Sequence, residues 1–362
     1  MSSDRRGFFE RAAAIAAAGL GVTGLPLTAA QQRESMPTPQ ARALMAAFGL
    51  KVPIFNAGMG LAAPPELAIA VSKAGGLGAL GTGGSPPADV MKERVTRTKA
   101  GTTNPFVVNY LLNWDPVTLP VVLDAGAPVI QFAWGLPSAD AVATIRKAGA
   151  KFGIQISSAA GARRALDLGA DYLICQGTEA GGHVQALSPL YTALPAILAE
   201  AKTIPVLAGG GISTGADIRR ALTAGAAGVL MGTRFLATKE CTAHDEHKNA
   251  IVRAKGEDTV LTICFQEGWA NAPHRVLRNR TLDMWEAAGC PPRGKRPGEG
   301  DTLTTSPITG TKRRYSSSMP KQDDTGLVAE LPLYAGLGVD RVRDIPSAGD
   351  LVVRLWKECL EA

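Results

Sequence analysis

Eight short apolar runs, spaced along one stretch of chain, restrict the fold more than any other feature. They are VPIFNAG (52–58), LGALGTG (77–83), PFVVNYL (105–111), PVIQFAW (128–134), KFGIQIS (151–157), DYLICQG (171–177), IPVLAGG (204–210) and GVLMGT (228–233). Each is about six residues long, rich in aliphatic and β-branched side chains and bounded by Gly or Pro, the pattern of strands buried on both faces of a parallel sheet. Between them lie Ala-rich segments such as PPELAIAVSKAG (64–75), ADAVATIRKAG (139–149), AAGARRALDLG (159–169) and GADIRRALTAG (215–225). Their apolar residues recur every three or four positions, a basic residue falls in the last turns, and a Gly stands where a helix would stop.

Eight such units within about 190 residues predict an α/β fold of the (β/α)8 TIM-barrel type; a doubly wound open sheet has fewer strands and a single Gly-rich turn near its start. Past Gly232 the rhythm breaks. Residues 239–325 carry two helical patterns, HDEHKNAIVRAKG (244–256) and HRVLRNRTLDMWEAAG (274–289), and then a Pro/Gly/Lys/Ser-rich region. They predict a small, mostly helical and irregular insertion or cap after the eighth strand. The amphipathic AGDLVVRLWKECLEA (348–362) is expected to supply the helix that closes the barrel. The expected division is a linker and helix over 31–49, the barrel over 50–238, the cap over 239–325 and a closing segment over 326–362.

Residues 1–30 have a different composition. Arg5 and Arg6, followed by Phe8 and Phe9, lead into an Ala/Gly-rich apolar stretch ending in Thr28–Ala30 before Gln31. This layout predicts a twin-arginine-type signal peptide, the export machinery as partner and a periplasmic mature protein. An apolar stretch of about 15 residues is too short for a stable membrane span. Because that route carries folded proteins, it also predicts a tightly held cofactor.

The chain has 38 Lys and Arg against 32 Asp and Glu, but its basic clusters, RGKR (293–296) and KRR (312–314), are short and lack aromatic neighbours. They read as solvated loops, and no nucleic-acid partner is expected. Five cysteines without a C-x-x-C pair indicate neither a zinc site nor a dense disulfide framework, and one disulfide stays open. His244 and His247 read as a polar helix face, and no metal is expected.

In such a barrel, chemistry gathers where the strands end at their C-terminal side. The unusual residues fall there: NAGMG (56–60), GTGG (81–84), Asn109, QGTEAGGH (176–183), AGGGIS (208–213) and MGTRF (231–235). The glycines after strands seven and eight suit a phosphate held by backbone N–H groups. The amides of Asn109 and Gln176 can both donate and accept, which suits a neutral heterocycle such as an isoalloxazine edge. No G-x-G-x-x-G with a following acid is present, so a mononucleotide flavin is favoured over a dinucleotide. His183 follows two glycines; its neutral ring can take a proton from a carbon acid and its protonated ring can pair with an anion. Glu179 is expected to hydrogen-bond to backbone.

Taken in order, NAGMG, GGLGALGTGG, FVVN, QGTEAGGH, IPVLAGGGIS and GAAGVLMGTRFLAT, with the late LYAGLGVDRVRDIPSAGDLV (333–352), resemble the nitronate monooxygenase family. The resemblance implies an FMN-dependent barrel enzyme that oxidises alkyl nitronates, and nitroalkanes, with O2 to a carbonyl compound and nitrite. It implies FMN contacts from Ala57, Gly58, Met59, Asn109, Gln176, Gly181, Gly182, Gly210, Gly211, Leu230, Met231, Gly232 and Thr233. It makes His183 the active-site histidine and places Trp134 in the substrate pocket. The related enoyl-acyl-carrier-protein reductases of the FabK type share EAGGH, which leaves an NAD(P)H-using reductase as the alternative and a non-catalytic flavin-binding barrel as a second one. The chain departs from the family pattern at Val184 and Gln185, where Arg-Gly is common, and at Trp134, where a smaller aromatic is expected.

Overall fold

All eight apolar runs are strands: β1 (Ile54–Asn56), β2 (Gly78–Gly81), β3 (Phe106–Leu111), β4 (Val129–Ala133), β5 (Lys151–Ile156), β6 (Tyr172–Gln176), β8 (Val206–Gly209) and β9 (Gly228–Met231), with a two-residue β7 (Gly182–His183) lying outside the barrel. They form one parallel sheet in the order β1-β9-β8-β6-β5-β4-β3-β2, and a parallel bridge from Phe55 to Leu77 joins its two edges. The computed structural model describes residues 36–84 and 86–362; the expected signal peptide lies outside them.

A helix follows each barrel strand, at Pro65–Lys73, Ala88–Gly101, Leu119–Asp124, Ala139–Lys147, Ala159–Asp167, Leu190–Ala201, Gly215–Thr223 and Ala348–Glu361. Gly75, Gly149, Gly169 and Gly225, placed to end four of these helices, all adopt positive φ. The last helix packs between Gly215–Thr223 and Pro65–Lys73, as the closing helix of the ring. The insertion therefore interrupts the eighth β/α unit between its strand and its helix.

The other end of the barrel is plugged. The helix Pro39–Phe48 starts at Thr38, whose hydroxyl accepts from Ala41 N, and stops at Gly49 in the left-handed conformation. Its Leu44 and Phe48 join Phe55, Ala79, Val107, Tyr172, Ile174 and Leu207 in one buried cluster. Phe48 meets Tyr172 edge-on with ring centroids 5.4 Å apart. Burial of such a ring stabilises the fold by about 2–3 kcal/mol. With the N-terminal end sealed, the C-terminal ends of the strands are left to form the site.

The insertion holds the expected helices at Asp245–Arg253 and Arg280–Ala287, and also strands that its composition concealed: β10 (Thr259–Thr262), β11 (His274–Leu277), β12 (Thr302–Ser306), β13 (Gly310–Arg313) and β14 (Thr325–Gly326). The expected helix over 274–289 begins only at Arg280, capped by Asn279; His274–Leu277 instead pairs antiparallel with β10. Val276 and its alternating inward neighbour His274 fit a half-buried strand better than a helical turn. β11 also pairs with β7, with His274 opposite His183. The cap thus takes the site loop as its own edge strand.

The basic clusters are solvated only in part: Arg293, Lys295 and Arg313 are exposed, whereas Arg296, Lys312 and Arg314 are buried. Lys312 is buried with its ammonium 2.5 Å from Asp324. Arg314 is buried against Glu330, and Arg296 against Glu299 and Glu267. These pairs lie inside the cap, where a cation is kept only beside a carboxylate. All five cysteines are free thiols, with Cys290 alone exposed among them.

Candidate active site

The strand ends enclose two adjoining cavities. The larger, about 580 Å3, is lined by Ala57, Gly58, Met59, Asn109, Trp134, Gln176, Gly181, Gly182, His183, Leu230, Gly232 and Thr233. The smaller, about 90 Å3, adds Gly210, Gly211 and Met231 and shares Gln176, Gly181, Leu230, Gly232 and Thr233 with the first. Every residue expected at the site borders one of the two.

Gly210 (φ 117°) and Gly211 (φ 69°) turn the chain through the left-handed region beside the smaller cavity. A β-carbon on Gly210 would meet Ala180 N and Gly177 O at 3.2 Å, so glycine lets two backbone segments close around this space. Gly336 and Gly338 of the closing segment complete the wall, and Gly336 N donates to Thr233 Oγ1 (3.0 Å). These two glycines were not among the expected site residues; only the LYAGLG stretch that contains them hinted at them.

Asn109 is oriented from below. Gln131 Nε2 donates to Asn109 Oδ1 (2.7 Å), and Tyr172 OH donates to Gln131 Oε1 (3.1 Å). No acceptor among the described residues takes Asn109 Nδ2, which is left to donate at the cavity wall. Gly58 is required beside it, since a β-carbon there would stand 2.6 Å from Asn109 Cβ.

Gln176 also borders both cavities, but its amide is engaged by the loop above it. Nε2 donates to His183 O (3.2 Å), and Oε1 accepts from Gln185 N (2.9 Å). Gln185 in turn accepts from Trp134 N (2.9 Å) and donates to Gln155 O (3.1 Å). Trp134 adopts φ 63°, an uncommon conformation for a bulky residue, and this amide holds it there. Val184 is buried with Ala180 and Ala186.

His183 lies in an aromatic enclosure. Its ring stacks on Trp269 with centroids 4.0 Å apart at 22°, with Trp134, His274 and Tyr334 at 6.2, 5.4 and 5.4 Å. Trp114 and Trp134 abut Trp269 edge-on at 4.9 and 5.0 Å. Nε2 is enclosed without a hydrogen-bond partner among the described residues. Burial, and secondarily His274, lowers the imidazole pKa to about 3. The ring is therefore neutral at physiological pH. Of the two forms expected of His183, the enclosure favours the neutral ring, the one that accepts a proton.

Trp114, Trp269, Tyr334, Gln131 and Gln155 were missed because they come from five separate segments and no one motif joins them. Glu179 behaves as expected, accepting from Leu190 N with both oxygens (3.1 and 2.9 Å). The histidine pair does not form a polar helix face. His244 caps its helix through Glu246 N, while His247 is fully buried with Nε2 3.1 Å from Tyr334 O. It supports the wall behind His183.

The nitronate monooxygenase family profile matches residues 41–120 and 116–358. A nitronate monooxygenase of Paraburkholderia phytofirmans is 29% identical, over 88% of this chain and 94% of its own. A 5-hydroxy-7a-methyl-1-oxo-octahydro-1H-indene-4-carboxyl-CoA dehydrogenase of Mycobacterium tuberculosis is 37% identical, over 66% of this chain and 67% of its own. Among solved structures, a nitroalkane oxidase from Streptomyces ansochromogenes superimposes with a TM-score of 0.71 at 30% identity, covering 88% of this chain and 98% of that one. FabK from Thermotoga maritima gives 0.72 at 26% identity, covering 88% and 96%. Barrel, strand-end glycines and histidine loop fall within the matched residues, and the chain is an oxidoreductase that belongs to the nitronate monooxygenase family.

Proposed function

We propose that this protein oxidises alkyl nitronates, and nitroalkanes after deprotonation, with O2 to a carbonyl compound and nitrite, using FMN. The observation that carries the reading is His183: a neutral imidazole whose Nε2 has no hydrogen-bond partner among the described residues, walled by aromatic rings on the larger cavity. The site residues fit a mononucleotide flavin. Asn109 Nδ2 is a donor for a ring edge, and Gly210, Gly211, Gly232 and Thr233 border a small space for a phosphate. Bound there, FMN would supply the electron acceptor that is reoxidised by O2.

The chain's own part is proton and solvent control. Neutral His183 takes the α-proton of a nitroalkane, while a substrate already present as nitronate needs no base. Trp269, Trp134 and Tyr334 exclude water around the ring, which keeps it neutral between turnovers. Gln176 and Gln185 fix the loop that carries it.

Purified protein should be yellow, and its flavin should be bleached anaerobically by propionate 3-nitronate alone, then recover its colour in air. Folded protein without a chromophore would overturn the proposal. The likeness to FabK supports a second reading, an NAD(P)H-using reductase; rapid anaerobic bleaching by NADPH, with none by nitronate, would select it. If neither bleaches the flavin, a binding barrel without turnover is left. We also propose export by the twin-arginine route, supported by Arg5, Arg6 and the small residues before Gln31. Protein recovered from the periplasm should begin at Gln31; an N-terminus at Met1 or Ser2 would refute this.

A further inference from the structure

The wall of the larger cavity that the cap supplies is polar and carries a cation that the proposed reaction does not use. Thr309, Thr311, Ser316, Ser318 and Lys321 border the same space as His183. Lys321 is anchored by its backbone: its N–H donates to Asp324 Oδ2 (2.7 Å), and it bridges to Ala243. Thr242, beside Ala243, bonds to the carbonyls of Leu61 and Ala62, part of the loop that follows β1. The lysine is thus fixed where the cap meets that loop.

Its ammonium forms none of the salt bridges or side-chain hydrogen bonds among the described residues, although carboxylates are near. Asp324 is occupied by Lys312 Nζ (2.5 and 2.6 Å) and by Lys321 N, and Asp323 by Ser306 Oγ. Glu267, the acidic residue on the cavity wall, is paired with Arg296. Arg94 adds another positive charge, with its guanidinium donating to Ala63 O. Lys312 and Arg94 act on Lys321 against Asp323 and Asp324, while Glu66 and Glu93 act on Arg94 itself. Burial, with repulsion from Lys312 and Arg94, lowers the Lys321 pKa to about 8, the behaviour of a lysine that lacks its counter-ion.

We propose that Lys321 forms an oxyanion subsite on the cap, selecting substrates that carry a carboxylate or phosphate away from the carbon that reacts. The inference rests on the reading of the larger cavity as the substrate site. Lys321 supplies the charge, and the hydroxyls of Ser318 and Thr311 line the same wall. An anion bound there restores the missing counter-charge without disturbing the Lys312–Asp324 pair.

Two measurements on flavin-loaded protein test it. In steady state, the ratio of kcat/KM for propionate 3-nitronate to that for propyl-1-nitronate should fall at least tenfold in Lys321→Met and recover to within threefold of wild type in Lys321→Arg. An unchanged ratio overturns the subsite, as does loss or spectral change of the flavin in Lys321→Met, which would assign the lysine to the cofactor. In calorimetric titrations, succinate probes a carboxylate and coenzyme A a phosphate-bearing thiol. Binding of either that weakens at least fivefold in Lys321→Met supports the subsite and identifies its anion, whereas binding of neither to wild type refutes it. Should wild type oxidise neither nitronate, the proposed reaction falls while the titrations still decide the subsite.

Discussion

The neutrality of His183 makes a prediction about pH that an exposed histidine would not. A pKa of about 3, against about 6.5 for a free imidazole, corresponds to about 5 kcal/mol in favour of the neutral ring. Trp269, 6% exposed and stacked at 4.0 Å, covers one face of that ring. Trp269→Ala admits water to that face and should move the pKa upward, toward 6.5. The assay is kcat/KM for nitroethane, which remains a carbon acid between about pH 4.5 and 7.5 and so requires the base. In wild type, His183 stays almost wholly unprotonated down to about pH 4.5, so its titration should cost less than about twofold across that range. If removal of the indole returns the pKa to about 5.5, the variant should lose about tenfold at pH 4.5 relative to pH 7.5. Trp269→Phe, which keeps an aromatic cover, should follow wild type and so controls for the loss of packing, about 3–5 kcal/mol for a buried Trp cut to Ala. A wild-type limb near pH 6.5, or an Ala variant whose profile matches wild type, would refute the reasoning.

The same burial links pH to stability. His183, His247 and His274 have folded-state pKa values lowered to about 3, 4 and 4 by desolvation. Below about pH 6.5 the unfolded chain binds protons that the folded chain refuses, so each histidine should cost about 2–3 kcal/mol between about pH 6.5 and 4.5. Urea midpoints that stay constant over this window would contradict it, and His183→Gln should remove about a third of the fall. Lys312→Met leaves Asp324 buried without its cation and should destabilise by about 3–5 kcal/mol; thermal unfolding should show much of that regained when Asp324→Leu is added. Gly181→Ala places a β-carbon against Gly336 N and Ala335 C, in the wall shared by the two cavities. It should release flavin on gel filtration, and full retention would show that this wall does not hold the cofactor.

How far the sequence could be read depended on whether the signal was local. Barrel strands are short, apolar and bounded by Gly or Pro because their faces are buried and their ends must turn, so each run declares itself within seven residues. The cap lacks that property. Its strands are Thr- and Ser-rich, its core is stitched by Lys312–Asp324 and Arg314–Glu330, and charge inside a fold cannot be distinguished from charge on a surface until the partner is found. The site divides in the same way. Glycines after β6 and β8 were legible because a backbone that must turn left-handed, as at Gly182, Gly210 and Gly211, has few alternatives, whereas Trp269 stacks on His183 from 86 positions further along the chain. Two of the departures from the family pattern, Gln185 and Trp134, looked independent because 51 positions separate them; the hydrogen bond from Trp134 N to Gln185 Oε1 makes them one feature. A strained tryptophan needs an acceptor for its N–H, and a glycine in place of Gln185 offers no side chain to provide it. The pair therefore belongs together: the larger ring narrows the space beside His183, and the amide that replaces glycine is what lets that ring stay there.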